Sequence, residues 1–329
     1  MINNIGIIGL GSIGKRHLRL ARKLRPEIKI IAVRSGKGEK VEEEKIADKI
    51  VYNMEDTINT GIQAAIISTP ATFHVDQALR LMNLGIHVLI EKPLSHSLEN
   101  VDNLLSAAGE LDTVGLVGYC LRYDSAALKF KEILATEKVG QILSVQVNCS
   151  SYLLDWRKKM DYRQSVSAKK ELGGGVLLEL SHELDYIRWF FGDMKSVYAN
   201  IQNSGTLDID VEDSADMIFE SGKGFSVSVH LDFNSRYTTR KCIVRCVNGN
   251  LIWDAIANKV TWQTASGSEK LETYENDRDY VYKEQLKHFF DCIENKKIPS
   301  VSIHDGVAVL RMINSIKKSH KINKKVALA

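Results

Sequence analysis

Residues 4–24, NIGIIGLGSIGKRHLRLARKL, change period part-way along. An apolar run ends in glycines, and Ile13, Leu18, Leu20, Ala21 and Leu24 then recur near helical spacing. This predicts a strand that passes through a glycine turn directly into a helix. Gly9, Gly11 and Gly14 stand at G-x-G-x-x-G spacing in that turn. The first glycine allows a tight turn, the second lets a pyrophosphate approach the main chain, and the third lets helix pack on strand. Ser12 and Ile13 open the helix, whose unpaired N–H groups and partial positive charge suit an anion. A glycine turn without a ligand is the competing reading. The strand before the turn and the helix after it favour a dinucleotide site.

The same alternation continues outward. KIIAVRS, AAIISTP, HVLIEKP and TVGLVGYC read as strands, the third of this chain being stopped by Pro70. ATFHVDQALRLMNLG and LENVDNLLSAAGEL read as helices between them. Strands alternating with helices of this length predict a Rossmann doubly wound parallel sheet over residues 1–122. After about Tyr123 the pattern changes. QILSVQVNCSSYL, KSVYANIQ, SADMIFES, GFSVSVHLDF, KCIVRCVN, NLIWD and KVTWQT alternate like half-buried strands joined by short Gly or Asn turns. Residues 123–303 are therefore expected to form an α+β domain on an open, mainly antiparallel sheet. Residues 304–329 supply a last helix and tail, expected to pack back near the first domain.

At 329 residues two domains are expected, and 44% hydrophobic with 26% charged residues is an ordinary globular composition. The net charge of +3 is small, and its basic excess gathers in KKSHKINKK, a tail that reads as solvated rather than nucleic-acid-binding. No apolar stretch approaches the ~18 residues of a membrane span, and the opening residues lack signal-peptide character. The five cysteines show no C-x-x-C spacing; Cys242 and Cys246 share one face of a strand, which suits buried thiols better than zinc. A cytoplasmic protein with reduced thiols and no metal is expected.

About 20 residues past the glycine loop, an NAD site calls for Asp or Glu at the end of the second strand. Arg34 and Ser35 stand there instead, with Lys37 close by. A hydroxyl and two cations suit a 2′-phosphate better than a 2′-hydroxyl, so NAD(P) with a lean to NADP is expected. Arg34 pointing to solvent or stacking on adenine is the other reading. Glu91, Lys92 and Pro93 end a strand at the carboxyl edge of the sheet, where open α/β folds bind ligands. There Lys92 is placed to donate to a substrate hydroxyl or carbonyl.

GLGSIGKRH, STPATFH, EKP, GYCLRY and GGG…SHELD…W…G occur in this order. The chain in this respect resembles the glucose–fructose oxidoreductase, inositol dehydrogenase and rhizopine catabolism (Gfo/Idh/MocA) family, from Asn4 to the last helix. The resemblance implies a cis bond before Pro93, a Lys92 that touches nicotinamide ribose and substrate, and a cofactor groove lined by Ser68, Thr69, Pro70 and His74. It also implies that the segment 173–192, GGGVLLELSHELDYIRWFFG, carries acid/base chemistry. Where the family usually has Asn and His-Pro, this chain has Cys120 and Asp124-Ser125.

On a helical wheel Leu180, Leu184, Ile187 and Phe191 form one narrow apolar arc, with Glu179, His182, Glu183 and Tyr186 roughly opposite. Asp185 and Trp189 lie at the edge. For an isolated helix this is a solvated side; the family motif makes it a catalytic one, with His182 as acid/base beside Lys92. The family commonly has Asp four residues before the histidine, a position held here by Leu178. Glu179 and Asp185 are thus both candidates to orient His182.

The aperiodic LLDWRKKMDYRQSVSAKK reads as a loop. Trp156 there can stack on a sugar face, and Arg157 and Arg163, with Tyr119 and Arg122 upstream, can hold phosphate or carboxylate. This suggests a sugar-type substrate, nucleotide-activated or acidic, and the loop is similar to that of family members in surface-polysaccharide and nonulosonic-acid pathways. A polar surface loop with a tryptophan anchor fits as well. Three functions compete: hydride transfer at a sugar hydroxyl or keto carbon, redox-assisted glycoside cleavage, and a non-catalytic NAD(P)-binding sensor or scaffold. The alternating strands predict one open sheet face that needs cover, hence a homodimer or homotetramer.

Overall fold

The computed structural model describes residues 1–36, 40–157 and 160–328. In chain order the elements are β1 (Asn4–Ile8), α1 (Ser12–Leu24), β2 (Lys29–Val33), β3 (Lys49–Val51), α2 (Met54–Asn59), β4 (Ala64–Ile67), α3 (His74–Met82), β5 (His87–Ile90), α4 (Val101–Glu110) and β6 (Gly115–Val117). There follow α5 (Ser125–Leu134), β7 (Ile142–Tyr152), α6 (Val176–Glu179), α7 (His182–Phe191), β8 (Met194–Gln202), β9 (Ser214–Ser221), β10 (Ser226–Asp232) and β11 (Asn234–Cys246). The chain closes with β12 (Gly249–Asp254), β13 (Lys259–Thr264), β14 (Glu269–Thr273), α8 (Tyr280–Glu294), α9 (Ile303–Ile322) and β15 (Val326–Ala327). Two compact units result: residues 1–120 with 278–308, and 121–277 with 309–329.

In the first unit six strands run parallel in the order β3-β2-β1-β4-β5-β6. Ile5, Ile7, Ile30, Ile31, Ala64, Ile66, Val88 and Leu89 are fully buried, as strands covered on both faces require. The chain leaves β1 and β4 side by side, with Ile8 opposite Ile67, so Gly9 and Ser68 emerge together where the strand order reverses. That is the ligand crevice of a doubly wound sheet.

The boundary at residue 122 and the assignment of 123–303 to one domain differ from the structure. Helix α8 joins the first unit because Leu286, Phe289 and Phe290 bury against Ile2, Ile5, Leu18 and Ala21. Burying three such side chains stabilises that placement by about 5–9 kcal/mol. Arg25 adds an ion pair to Glu294 (2.7 Å) and lies over the Phe290 ring. The tail also differs from expectation: residues 309–329 belong to the second unit, where Val326 of β15 pairs with Val197 of β8.

The second unit carries a nine-stranded sheet, β14-β13-β12-β11-β7-β10-β9-β8-β15. Only β7–β10 is parallel. Val145, Val147, Val227, Val229, Cys242, Val244, Leu251 and Trp253 fill its inner face, on which Tyr186 and Phe190 pack edge-on to Trp253 and Phe130 packs tilted against it. All five cysteines are buried, and none is in a disulfide. Among the described residues no helix is long and apolar enough to cross a membrane, and no cluster of His, Cys, Asp and Glu is arranged to hold a metal.

Candidate active site

The glycine loop has the shape its spacing demands. Gly9 takes a left-handed φ of +91°, and a Cβ on Gly14 would stand 1.9 Å from the Gly9 carbonyl oxygen and 2.5 Å from Ser68 Oγ. Ser68 Oγ lies 2.9 and 2.8 Å from the carbonyl oxygens of Ile8 and Gly9, so its proton holds the turn rather than pointing outward. Gly11 caps α1 and is exposed, with open space where its Cβ would be. Ser12 is exposed, Ile13 is half-buried, and no acid sits in the first turn of α1 to compete for an anion. This cradle fits a dinucleotide pyrophosphate.

At the end of β2 the sequence offers no carboxylate, but the fold brings one. Glu44, from a 3₁₀ turn at Glu42–Ile46, pairs with the Arg34 guanidinium and accepts from the Val41 N–H at 3.1 Å. Ser35 is exposed beside it. Lys37 lies outside the described residues.

The Lys92–Pro93 bond is cis, as the resemblance implies. Glu91 is buried; its Oε1 lies 2.7 Å from His17 Nε2, and its Oε2 accepts from the Lys92 N–H at 3.2 Å. Lys92 itself is half-buried. Thr69 and Pro70 are half-buried, with Thr69 Oγ1 donating to Gln77 Oε1 at 2.8 Å. His74 is buried rather than facing outward: Nε2 lies 2.8 Å from the Thr69 carbonyl and Nδ1 2.9 Å from that of Pro93. Two carbonyls would favour a doubly protonated ring, but burial outweighs them and pushes the His74 pKa down. A neutral ring donates to one of the two carbonyls and leaves its other nitrogen facing an acceptor.

In the second unit the segment 173–192 forms two helices, not one, with a break at Leu180–Ser181. Gly175 (φ +106°) is required there, since a Cβ would meet the Glu212 carboxylate at 2.5 Å. That carboxylate accepts from the Leu177 N–H at 3.3 Å, while Glu212's carbonyl accepts from Val176. The break puts His182 in the first turn of α7. Its polar side is not solvated: His182 is 7% exposed, Asp185 1% and Glu183 0%. Arginines account for both acids. Arg122 forks onto Asp185 (Nε–Oδ2 2.9 Å, Nη2–Oδ1 2.6 Å), and Arg240 Nε donates to Glu183 at 2.8 Å. Glu179 is half-buried.

Of the residues expected to face a substrate, Arg122 is buried and committed to Asp185, and Tyr119 is fully buried. Trp156 is half-buried, its Nε1 donating to Ser151 Oγ at 2.9 Å and its ring edge-on to Phe233. Arg157 is exposed. Arg163 is exposed and forks onto Asp161 (2.9 and 2.7 Å), which raises its pKa further. His17, Glu44, Glu212 and Arg240 escape sequence reasoning. For His17 a signal existed: a polar residue on the stripe of Gly14, Leu18 and Ala21 that α1 buries.

Two family models meet this geometry. Residues 3–119 match "Oxidoreductase family, NAD-binding Rossmann fold" (GFO_IDH_MocA), and residues 127–252 match the GFO/IDH/MocA C-terminal domain. The chain belongs to the GFO/IDH/MocA family. It is thus an NAD(P)-dependent oxidoreductase. Among relatives in this family it is 25% identical over 320 residues to the 1,5-anhydro-D-fructose reductase of Ensifer adhaerens, covering 93% of this chain and 92% of the reductase. Its fold matches levoglucosan dehydrogenase in complex with NADH and levoglucosan (TM-score 0.89, 19% identity, 99% of both chains). It likewise matches the WlbA dehydrogenase of Bordetella pertussis in complex with NADH and UDP-GlcNAcA (TM-score 0.82, 20% identity, 99% of this chain and 97% of that one).

Proposed function

We propose that this chain oxidises or reduces a hydroxyl or keto carbon of a sugar or sugar derivative, with NADP(H) preferred. The observation that carries the reading is the common sheet edge in the first unit. There the glycine cradle follows β1 and Lys92 follows β5, both at the carboxyl ends of parallel strands. Gly9, Gly11, Ser12, Ile13 and Gly14 would hold the pyrophosphate, with Ser68, Thr69, Pro70, Glu91 and Pro93 framing the groove. The nicotinamide, when bound, supplies or accepts the hydride. The chain must move the hydroxyl proton, and Lys92 and His182 are the groups we assign to it. Because Arg122 holds both oxygens of Asp185, Glu179 is assigned to orient His182, and Asp185 with Arg122 to hold α7 in place.

Arg34 and Ser35 support the 2′-phosphate, and Glu44 moderates that preference by offsetting the Arg34 charge. An acidic or nucleotide-activated sugar is the finer reading, resting on Arg157 and Arg163 beside Trp156. The curated relative that acts on an anhydro-sugar favours the sugar class as a whole. Five buried thiols outside any disulfide favour the cytoplasm. The outer face of the second sheet favours a homo-oligomer. Tyr198, Ile218, Ile243, Ile252 and Leu271 fall in one row across it, interrupted by Ser228, Gln146 and Thr261, between rows holding Asp216, Lys241 and Lys259 on one side and Glu220, Arg245 and Glu269 on the other. Such a face suits a second copy. Sedimentation as a monomer at micromolar concentration would overturn that.

The function is tested by titrating NADPH and NADH and then screening sugars and nucleotide sugars at the nicotinamide absorbance band. Lys92→Ala and His182→Ala are expected to lose turnover. Turnover unchanged in both variants overturns the assignment of the two residues. Product without net absorbance change points to redox-assisted glycoside cleavage, and tighter binding of NADH than NADPH overturns the cofactor preference.

A further inference from the structure

We propose that His17 is the positioning residue of Lys92, acting through Glu91. This rests on the reading above, in which Lys92 works at the reacting centre. His17 lies on α1 with no exposure, and its Nε2 stands 2.7 Å from Glu91 Oε1. The other oxygen of that carboxylate accepts the Lys92 main-chain N–H at 3.2 Å. At the end of β6, Gly118 leaves the room this needs: a Cβ there would stand 3.0 Å from Glu91 Oε2 and 3.1 Å from Lys92 N. On the other side of the lysine, His74 holds the Pro93 carbonyl at 2.9 Å. Both chain neighbours of Lys92 therefore lie within hydrogen-bond distance of a buried histidine, one from α1 and one from α3.

The physical need is clear from the lysine itself. Its four-carbon stem is flexible, so the ammonium is aimed only as well as the main chain beneath it is fixed. A plain packing role for His17 is a poor account of the ring. Nδ1 is buried without a hydrogen-bond partner among the described residues, which costs stability that an apolar residue would not incur. Among the described residues, the ring's one hydrogen-bond contact is to Glu91, and it stands edge-on to Tyr282. Helix α1 is also the helix whose first turn forms the glycine cradle. One rigid element thus forms the phosphate cradle at its start and sets the lysine turn about one and a half helical turns later.

The test uses the full-length protein and NAD⁺ whose ribose is opened to a 2′,3′-dialdehyde. An aldehyde and the Lys92 amine condense to an imine with loss of water, and borohydride reduces the imine to a stable secondary amine. Peptide mass spectrometry reads the labelling of Lys92. His17→Leu and His17→Asn are expected to lower it about tenfold or more, at unchanged affinity for NADH and with a lower melting temperature, since Glu91 stays buried without that partner. His17→Gln, which keeps an N–H at similar reach, is expected to restore most of it, and Glu91→Gln to repeat the loss. If Lys92 of the wild type is not labelled, the reading of Lys92 falls and takes this proposal with it. If the wild type is labelled and the His17 variants match it, the positioning role is overturned while that reading stands. Loss of NADH affinity in step with labelling would make His17 merely structural, and also overturns the proposal.

Discussion

Alanine at Gly11 and at Gly14 should damage the glycine loop in two different ways. At Gly14 the added Cβ would stand 1.9 Å from the Gly9 carbonyl oxygen, where real contacts stay above 3.0 Å. Either the loop or the helix must shift by about 1 Å. Overpacking of this kind costs roughly 1–3 kcal/mol or more, against a gain of about 1 kcal/mol for alanine in a helix. A net loss of roughly 0–2 kcal/mol or more lowers the melting temperature by as much as about 8 °C, before any cofactor is added. At Gly11 the backbone (φ −67°) already suits alanine and nothing lies within 4 Å of the new methyl. The gain of about 0.4–1 kcal/mol from a stiffer unfolded chain roughly offsets the poorer cap. Gly11→Ala should therefore melt like the wild type. Its methyl nevertheless fills the space a pyrophosphate needs. Losing one charge-assisted hydrogen bond, worth about 1.5–3 kcal/mol, raises the dissociation constant of NADPH or NADH by roughly 10- to 150-fold. Thermal melting without cofactor and fluorescence titration with it read the two effects apart. Wild-type affinity in Gly11→Ala would refute the placement of the pyrophosphate.

Asp185→Ala leaves the Arg122 guanidinium buried without that carboxylate and should cost about 3–5 kcal/mol in denaturant unfolding, whereas Arg122→Met with Asp185→Leu should recover most of it. A double variant less stable than either single would sink this view of the pair. His230 on the outer sheet face is raised to about 9 from an ordinary 6.5, chiefly by Asp232 and then by Asp216. Its contribution to stability is complete below pH 6.5 and fades as pH rises through about 9. The melting-temperature gap between wild type and His230→Asn should thus be widest near pH 6, and a gap that widens toward pH 10 is the contrary result.

Much of this molecule is legible along the chain. The parallel sheet follows from runs such as NIGIIGLG and HVLIEKP, whose periods depend on local geometry alone. The short strand KIV (49–51) escaped because three residues carry no period, and β14 because Glu269–Thr273 is exposed throughout and shows no apolar alternation. For α2 a cue was present: Asn53 caps the helix, accepting from the Asp56 N–H at 2.7 Å. Helix α8 was read correctly as a helix but given to the wrong unit, since its apolar stripe does not say which core will receive it.

By itself the sequence determined the glycine turn, the end of β5 at Lys92 and the helical stretch around His182. Each depends on residues within a few positions of one another, where chain sterics decide. Tertiary structure alone decided which polar side chains meet. It brought Glu44 to Arg34, Arg122 to Asp185, Arg240 to Glu183 and His17 to Glu91. Those partners are 10, 63, 57 and 74 residues apart in the chain. No local periodicity encodes such pairings, because they form only when packed elements strip water from both groups and leave each as the other's best partner.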